Sequence, residues 1–152
     1  MIKNAGRGGC TTKLALFFCS LMKFVGKGKH LFPPIKQEYQ CRCIQVTEQN
    51  RKQMELLLQG KFIDTPGHTA DSISLLLNDG SLFCGDAAMN GLPSLHRITI
   101  WAEEKTAFLK SWETIIALRP NLIYPGHGKP FEYEDLKINL KRAKNMELLP
   151  IQ

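Results

Sequence analysis

The stretch from Lys61 to Asp86 constrains this chain more than any other part of it. It reads as a strand, a sharp turn carrying a histidine, a second strand, a tight turn, a third strand and an aspartate. Phe62 and Ile63 form the apolar end of the first strand. Pro66 and Gly67 break it, the proline through its fixed φ and missing N–H, the glycine by tolerating positive φ. His68 is thereby placed on a loop at a strand end, where side chains are presented rather than packed. Ser72 to Leu77 reads as the second strand, Asn78-Asp79-Gly80 as a hairpin turn, and Leu82 to Cys84 as the returning strand. Gly85-Asp86 then sets a carboxylate beside a residue that lets backbone or ligand approach closely. The pattern recurs in Leu122-Ile123-Tyr124-Pro125-Gly126-His127-Gly128 as strand, Pro-Gly, histidine. Two histidines and one aspartate, each at a strand end, are expected to converge at one edge of a sheet.

A length of 152 residues predicts one domain over 1–152, and a content of 43% apolar and 22% charged residues is that of a globular protein with a real core. The formal charge of +6 comes from Lys and Arg placed singly. With no arginine-rich run and no aromatic-basic interleaving, it argues against a nucleic-acid partner. The five cysteines are odd in number, and the nearest pair, Cys41 and Cys43, lacks the Cys-x-x-Cys spacing of metal and redox motifs. Reduced thiols in a cytoplasmic protein are the expectation.

Residues 1–9 are polar and glycine-rich and read as a frayed start. Thr11 to Val25 is apolar through Leu14–Met22, after Lys3, Arg7 and Lys13. That order of charge and core is like a signal peptide, but no small-x-small cleavage site follows and Lys23 restores charge. The run falls short of the about 20 residues that span a bilayer, so a helix capped by Thr11 or Thr12 is expected and no membrane partner. Residues 26–34, with Pro33-Pro34, read as loop. Cys41 to Thr47 alternates in character and predicts a short strand with Ile44 and Val46 on one face. Gln49 to Leu58 is open between helix and strand. Glu103 to Leu118 is the clearest helix, with Phe108, Trp112, Ile115 and Ile116 at helical spacing and Arg119-Pro120 ending it. Tyr133 to Met146 reads as a closing helix with Leu136, Leu140 and Ala143 on its apolar side.

Imidazole and carboxylate together are ligands for zinc, and equally for iron or manganese. His68, Asp86 and His127 are the candidate ligands, with Thr69 and Ser72 placed to hydrogen-bond around them. His30 and His96 read as surface residues, although His96 follows the Asp86 loop and is the better placed of the two. Cys84 is expected to point into the sheet packing. No Gly-x-Ser-x-Gly elbow and no glycine-rich phosphate loop occurs.

Thr65-Pro66-Gly67-His68-Thr69 followed by Ser72 and Ile73, then Leu82-Phe83-Cys84-Gly85-Asp86, then Tyr124-Pro125-Gly126-His127-Gly128 resemble, in order and spacing, the later motifs of the metallo-β-lactamase superfamily. The resemblance covers about Gly60 to Phe131. It implies an α/β (α+β) fold, an αβ/βα sandwich represented mostly by its C-terminal half. It also implies a zinc or iron site at one sheet edge, with His68 on a first metal, Asp86 bridging and His127 on a second. The implied activity is hydrolysis of an ester, thioester or amide of a small-molecule substrate by metal-bound hydroxide. The family's earlier His-x-His-x-Asp-His motif has no counterpart among His30, His68, His96 and His127. The expectation is therefore a truncated domain with an incomplete site that holds its metal weakly. The rival expectation is a catalytically inactive chain acting through self-association, as a homo-oligomer, or by pairing with a complementary chain.

Overall fold

The computed structural model describes residues 8–25 and 44–150. Most of the expected frayed start, the loop over 26–34, His30, Cys41 and Cys43 lie outside the described residues. Six strands are formed among the described residues: β1 (Gly9–Cys10), β2 (Gly60–Asp64), β3 (Ile73–Leu77), β4 (Ser81–Gly85), β5 (Trp101–Ala102) and β6 (Leu122–Pro125). The four longer ones make a mixed sheet in the order β2-β3-β4-β6. β2–β3 and β3–β4 are antiparallel, and β4–β6 is parallel. β2, β4 and β6 consequently run the same way and end at one edge. The turn between β3 and β4 is the one the sequence predicts: Gly80 takes φ 87° and its N–H donates to the Leu77 carbonyl at 3.0 Å.

Alternation along the strands gives the sheet two unlike faces. Leu82 and Cys84 of β4 and Ile123 of β6 are buried together, next to Leu76 of β3. On the other face Phe62, Leu75, Phe83 and Tyr124 are register partners across all four strands. Phe83 and Tyr124 stack there at 4.9 Å, yet Phe83 stays 45% exposed.

The buried face is covered by α3 (Lys105–Leu118) and α4 (Tyr133–Lys144). Phe108, Trp112 and Ile115 of α3 enter the core at the predicted helical spacing, while Ile116 is only half-buried against it. Trp112 also donates its indole N–H to the Ala87 carbonyl at 2.8 Å, which satisfies the polar atom of a fully buried side chain. The sequence predicts the α3 start at Glu103. In the structure Glu104 is instead the N-cap, its carboxylate accepting from the N–H groups of Thr106 and Ala107. Arg119 ends the helix in the left-handed region. α4 carries Glu134 and Asp135 in its first turn and Lys141, Arg142 and Lys144 in its last, the arrangement the helix dipole favours. Helices on one face of a mixed sheet give the α/β architecture expected, as a helix layer on a sheet layer.

The remaining elements attach to this unit. Helix α1 (Lys13–Phe24) is capped by Thr12, whose hydroxyl accepts from Ala15 N–H at 3.0 Å. β1 pairs with β5 and, through Cys10, with Leu149, so the start and end of the described chain meet. The open stretch before β2 resolves as helix α2 (Arg51–Leu58), which ends at left-handed Gln59. Arg51 ties it to β2 by reaching Asp64 at 3.0 Å and the Phe62 carbonyl at 2.7 Å. The strand expected up to Thr47 is not formed over 44–47. Asn50 folds that segment back locally instead, accepting from Thr47 N–H and donating to the Gln45 carbonyl. Among the described residues no helix is long and apolar enough to cross a membrane.

Two predictions follow from the packing. Leu82→Ala should cost about 2–5 kcal/mol in urea unfolding, as a buried truncation does. Phe83→Ser, one residue on and facing outward, should cost about 1 kcal/mol or less in the isolated chain. Equal losses would mean that the two faces are not distinguished as described. The Glu104 cap carries a pH dependence. Its slight burial acts to raise its pKa, but the N–H bonds from Ala107 and Thr106 outweigh that and hold it below the ordinary 4.5. A depressed carboxylate stabilises above its unfolded pKa, and that gain is lost as pH falls through the folded value. Glu104→Ala should therefore destabilise by about 1 kcal/mol or less at neutral pH, since solvent screens this exposed cap, with a difference from the parent chain that shrinks as pH falls through the carboxylate range.

Candidate functional site

The shared C-terminal edge of β2, β4 and β6 is where the three candidate ligands meet. His68 lies on the turn after β2. Gly67 makes that turn possible: it takes φ 132°, and a Cβ on it would stand 2.3 Å from the Phe108 backbone. The start of α3 grips the same loop, with the N–H groups of Glu103 and Glu104 donating to the Gly67 carbonyl at 2.8 and 3.1 Å. The imidazole is fixed by its Nδ1, which lies 2.9 Å from the Trp101 carbonyl, and by the edge of the Trp101 ring at 5.7 Å. A carbonyl only accepts, so Nδ1 carries the proton and Nε2 keeps its lone pair. That Nε2 faces Asp86 Oδ2 at 3.6 Å.

Asp86 leaves β4 through Gly85, at φ 52°. The chain then turns inward at buried Ala87 and Ala88, under Trp112. His127 follows β6, and its Nδ1 bonds Asp86 Oδ1 at 2.7 Å. The imidazole of His127 is 66% exposed, whereas the Asp86 side chain is 25% exposed. Asn90 clamps the His127 loop. Its N–H donates to the His127 carbonyl at 2.9 Å, its carbonyl accepts from Lys129 N–H, and its amide donates to the Lys129 carbonyl. Arg97 holds the Asn90 side chain at 2.6 Å and is itself anchored on Asp135 of α4. Gly128 takes φ 99°, and a Cβ there would fall 1.9 Å from the Asn90 carbonyl oxygen.

His68, Asp86 and His127 are thus brought together as expected. Thr69 and Ser72 are close by, but they bond each other at 2.7 Å, and it is Trp101 and Thr99 that hold the His68 ring. His96 does not join the edge: it takes φ 59° and its Nε2 faces Arg142 of α4 at 3.3 Å. Cys84 points into the core as expected, and burial pushes its thiol up to about 12, which leaves no thiolate beside the site. The contributions of Trp101, Asn90 and Arg97 carry no local sequence signal, because each reaches a partner that only the fold brings near: Trp101 through its carbonyl, Asn90 through backbone and side chain, and Arg97 through its guanidinium.

The donor set fits a metal ion in part. Donors about 2 Å from one tetrahedral zinc lie about 3.3 Å apart, close to the spacing of His68 Nε2 and Asp86 Oδ2. His127 does not fit, since its inward nitrogen is hydrogen-bonded to the aspartate instead of offering a lone pair to an ion. A catalytic zinc uses three protein ligands. Among the described residues no group of three or more His, Cys, Asp and Glu is arranged to hold an ion. As arranged, these residues do not fit a catalytic metal centre.

No family model matches the chain. It is 36% identical over 93 residues to the β-lactamase-like protein 2 homolog of Drosophila melanogaster, a match covering 59% of this chain and 30% of that protein. The Caenorhabditis elegans homolog of the same name is 33% identical over 96 residues, covering 60% of this chain and 30% of that one. Among solved structures, a metallo-β-lactamase superfamily protein of the archaeon Sulfolobus tokodaii is 23% identical with a TM-score of 0.46, over 61% of this chain and 36% of that one. The likeness is distant, and the chain spans less than a third of the length of the curated relatives it matches.

The geometry predicts the protonation of one ring and the tolerance of one loop. Nitrogen NMR should find His68 protonated on Nδ1 when neutral; the opposite tautomer would contradict the bond to Trp101. Gly128→Ala should destabilise by about 1–3 kcal/mol and shift the His127 ring resonances, because a strained φ and a clash with Asn90 coincide there.

Proposed function

We propose that this chain is a metallo-β-lactamase-like partial domain that does not hydrolyse substrate by itself and acts by pairing, with a second copy or with a complementary chain. One observation carries the first half of the reading: His127 Nδ1 is hydrogen-bonded to Asp86 Oδ1 at 2.7 Å, so only His68 Nε2 and Asp86 Oδ2, 3.6 Å apart, are left facing each other as donors to an ion, one short of a three-donor cage. The second half rests on the outward sheet face. Phe62, Leu75, Phe83 and Tyr124 form an apolar row there, of the kind that marks an association surface when contiguous and exposed. The matched relatives are named β-lactamase-like, which supports descent from a hydrolase of that kind.

The fixed His68 ring favours the rival reading, a chain that is itself a zinc hydrolase, because tying Nδ1 to a carbonyl is how proteins orient a metal-binding imidazole. A zinc titration followed by assays on thioester, lactone and β-lactam substrates separates the two. The proposal expects no turnover, and zinc affinity far below the roughly 10–16 kcal/mol of a four-ligand structural site. Tight stoichiometric binding with turnover abolished by His68→Ala would establish the rival. Light scattering tests the pairing. Phe83→Ser combined with Tyr124→Ser should turn an associated species into a monomer, whereas a parent chain that is monomeric and stays so with a candidate partner would remove that half of the proposal.

A further inference from the structure

Positive charge is not spread evenly along this chain. Residues 1–37 hold seven of the 20 Lys and Arg and none of the 14 Asp and Glu. Residues 38–152 hold the other 13 basic residues against all 14 acidic ones. The whole excess of +6 therefore belongs to the first quarter of the sequence, and the domain that carries the sheet is close to neutral. Helix α1 lies within that basic, acid-free segment.

The helix is also apolar on its outer side. Phe17, Leu21 and Phe24 are spaced by four and three residues, and Phe18, Met22 and Val25 form the adjacent row at the same spacing, so all six share one side. All six are exposed, Phe17 at 63% and Phe24 at 89%. Ala15, in line with Phe18 and Met22 at the border of that side, is buried against the protein. No acidic residue lies in α1, and Lys13 and Lys23 stand near its two ends.

We propose that α1 lies on an anionic lipid surface, with the Phe17–Leu21–Phe24 row in the boundary between headgroups and acyl chains. A twelve-residue helix is too short to span a bilayer, but lying in the interface sets no such length. Large apolar side chains on one side and basic residues around them are the composition that binds this way. Charge selects this occupant over a second copy of the chain, because a second α1 would bring an equally basic, acid-free segment to the same place. It selects lipid over nucleic acid as well, since the exposed side is aliphatic and phenyl with lysine only at its margins, not the interleaved basic and aromatic surface that reads bases.

The test is flotation of the intact chain with phosphatidylcholine vesicles, with and without phosphatidylserine. Binding to the anionic vesicles should exceed binding to the neutral ones by about tenfold or more and should fall steeply with added salt. Phe17→Ser combined with Phe24→Ser should weaken it by about tenfold or more, with an unchanged circular dichroism spectrum because both rings are exposed. Lys13→Glu is a second variant that leaves the apolar side intact, and it should weaken binding by about fivefold or more. Absence of binding, equal binding to both vesicles, or serine variants that alter the solution mass but not vesicle binding would each overturn the proposal, the last by showing a face for self-association.

Discussion

The parallel pairing of β4 with β6 is the constraint on which the rest of this structure depends. Leu82 and Ile123 are register partners, both fully buried under the helices that Trp112 and Leu136 anchor. Because the pair is parallel, the chain must cross back over the sheet between them, and α3 makes that crossing on the buried face. The same pairing brings the end of β4 beside the end of β6. Asp86 and His127 meet for that reason, 41 residues apart in sequence and 2.7 Å apart in space. β2 joins them in direction through two antiparallel steps across β3, and its loop delivers His68 to the same edge.

The site is held by backbone more than by side chains. The His68 loop is gripped by the N–H groups at the start of α3, and its ring by the carbonyl of Trp101. The His127 loop is gripped by Asn90, which Arg97 fixes to α4. Such a frame positions three side chains with little freedom, yet their nitrogens and oxygens are directed at one another. The frame has the rigidity a metal site requires, while two of its three occupants, Asp86 and His127, are already hydrogen-bonded to each other.

Much of this was legible in the residues. Pro-Gly before His68 and Gly80 in the hairpin mark turns, because few residues other than glycine accept the backbone angles found there; Gly126 before His127 serves close approach, since a Cβ on it would stand 2.8 Å from Asp86 Oδ1. The period of α3 showed its buried side directly. What was not legible came from distant pairing or local competition. Trp101 reaches His68 only because β5 is placed beside that loop, and nothing between residues 68 and 101 announces it. The alternation before Thr47 was a true pattern without a partner strand over 44–47, and Asn50 closed the segment into a turn. Glu104 is expected inside a helix from Glu103 and instead caps one from Lys105, a shift of two positions that hydropathy does not resolve. The apolar run of α1 was judged by the length needed to cross a membrane, which is a different requirement from the one its exposed side meets.

The central claim is that Asp86 is bound by His127 and not by an ion. Crystals of the chain grown with excess zinc, with anomalous scattering recorded at the zinc edge, address it directly. The account predicts no anomalous peak between His68, Asp86 and His127, with His127 Nδ1 still in hydrogen-bond contact with Asp86. A fully occupied peak with all three side chains about 2 Å away would contradict it.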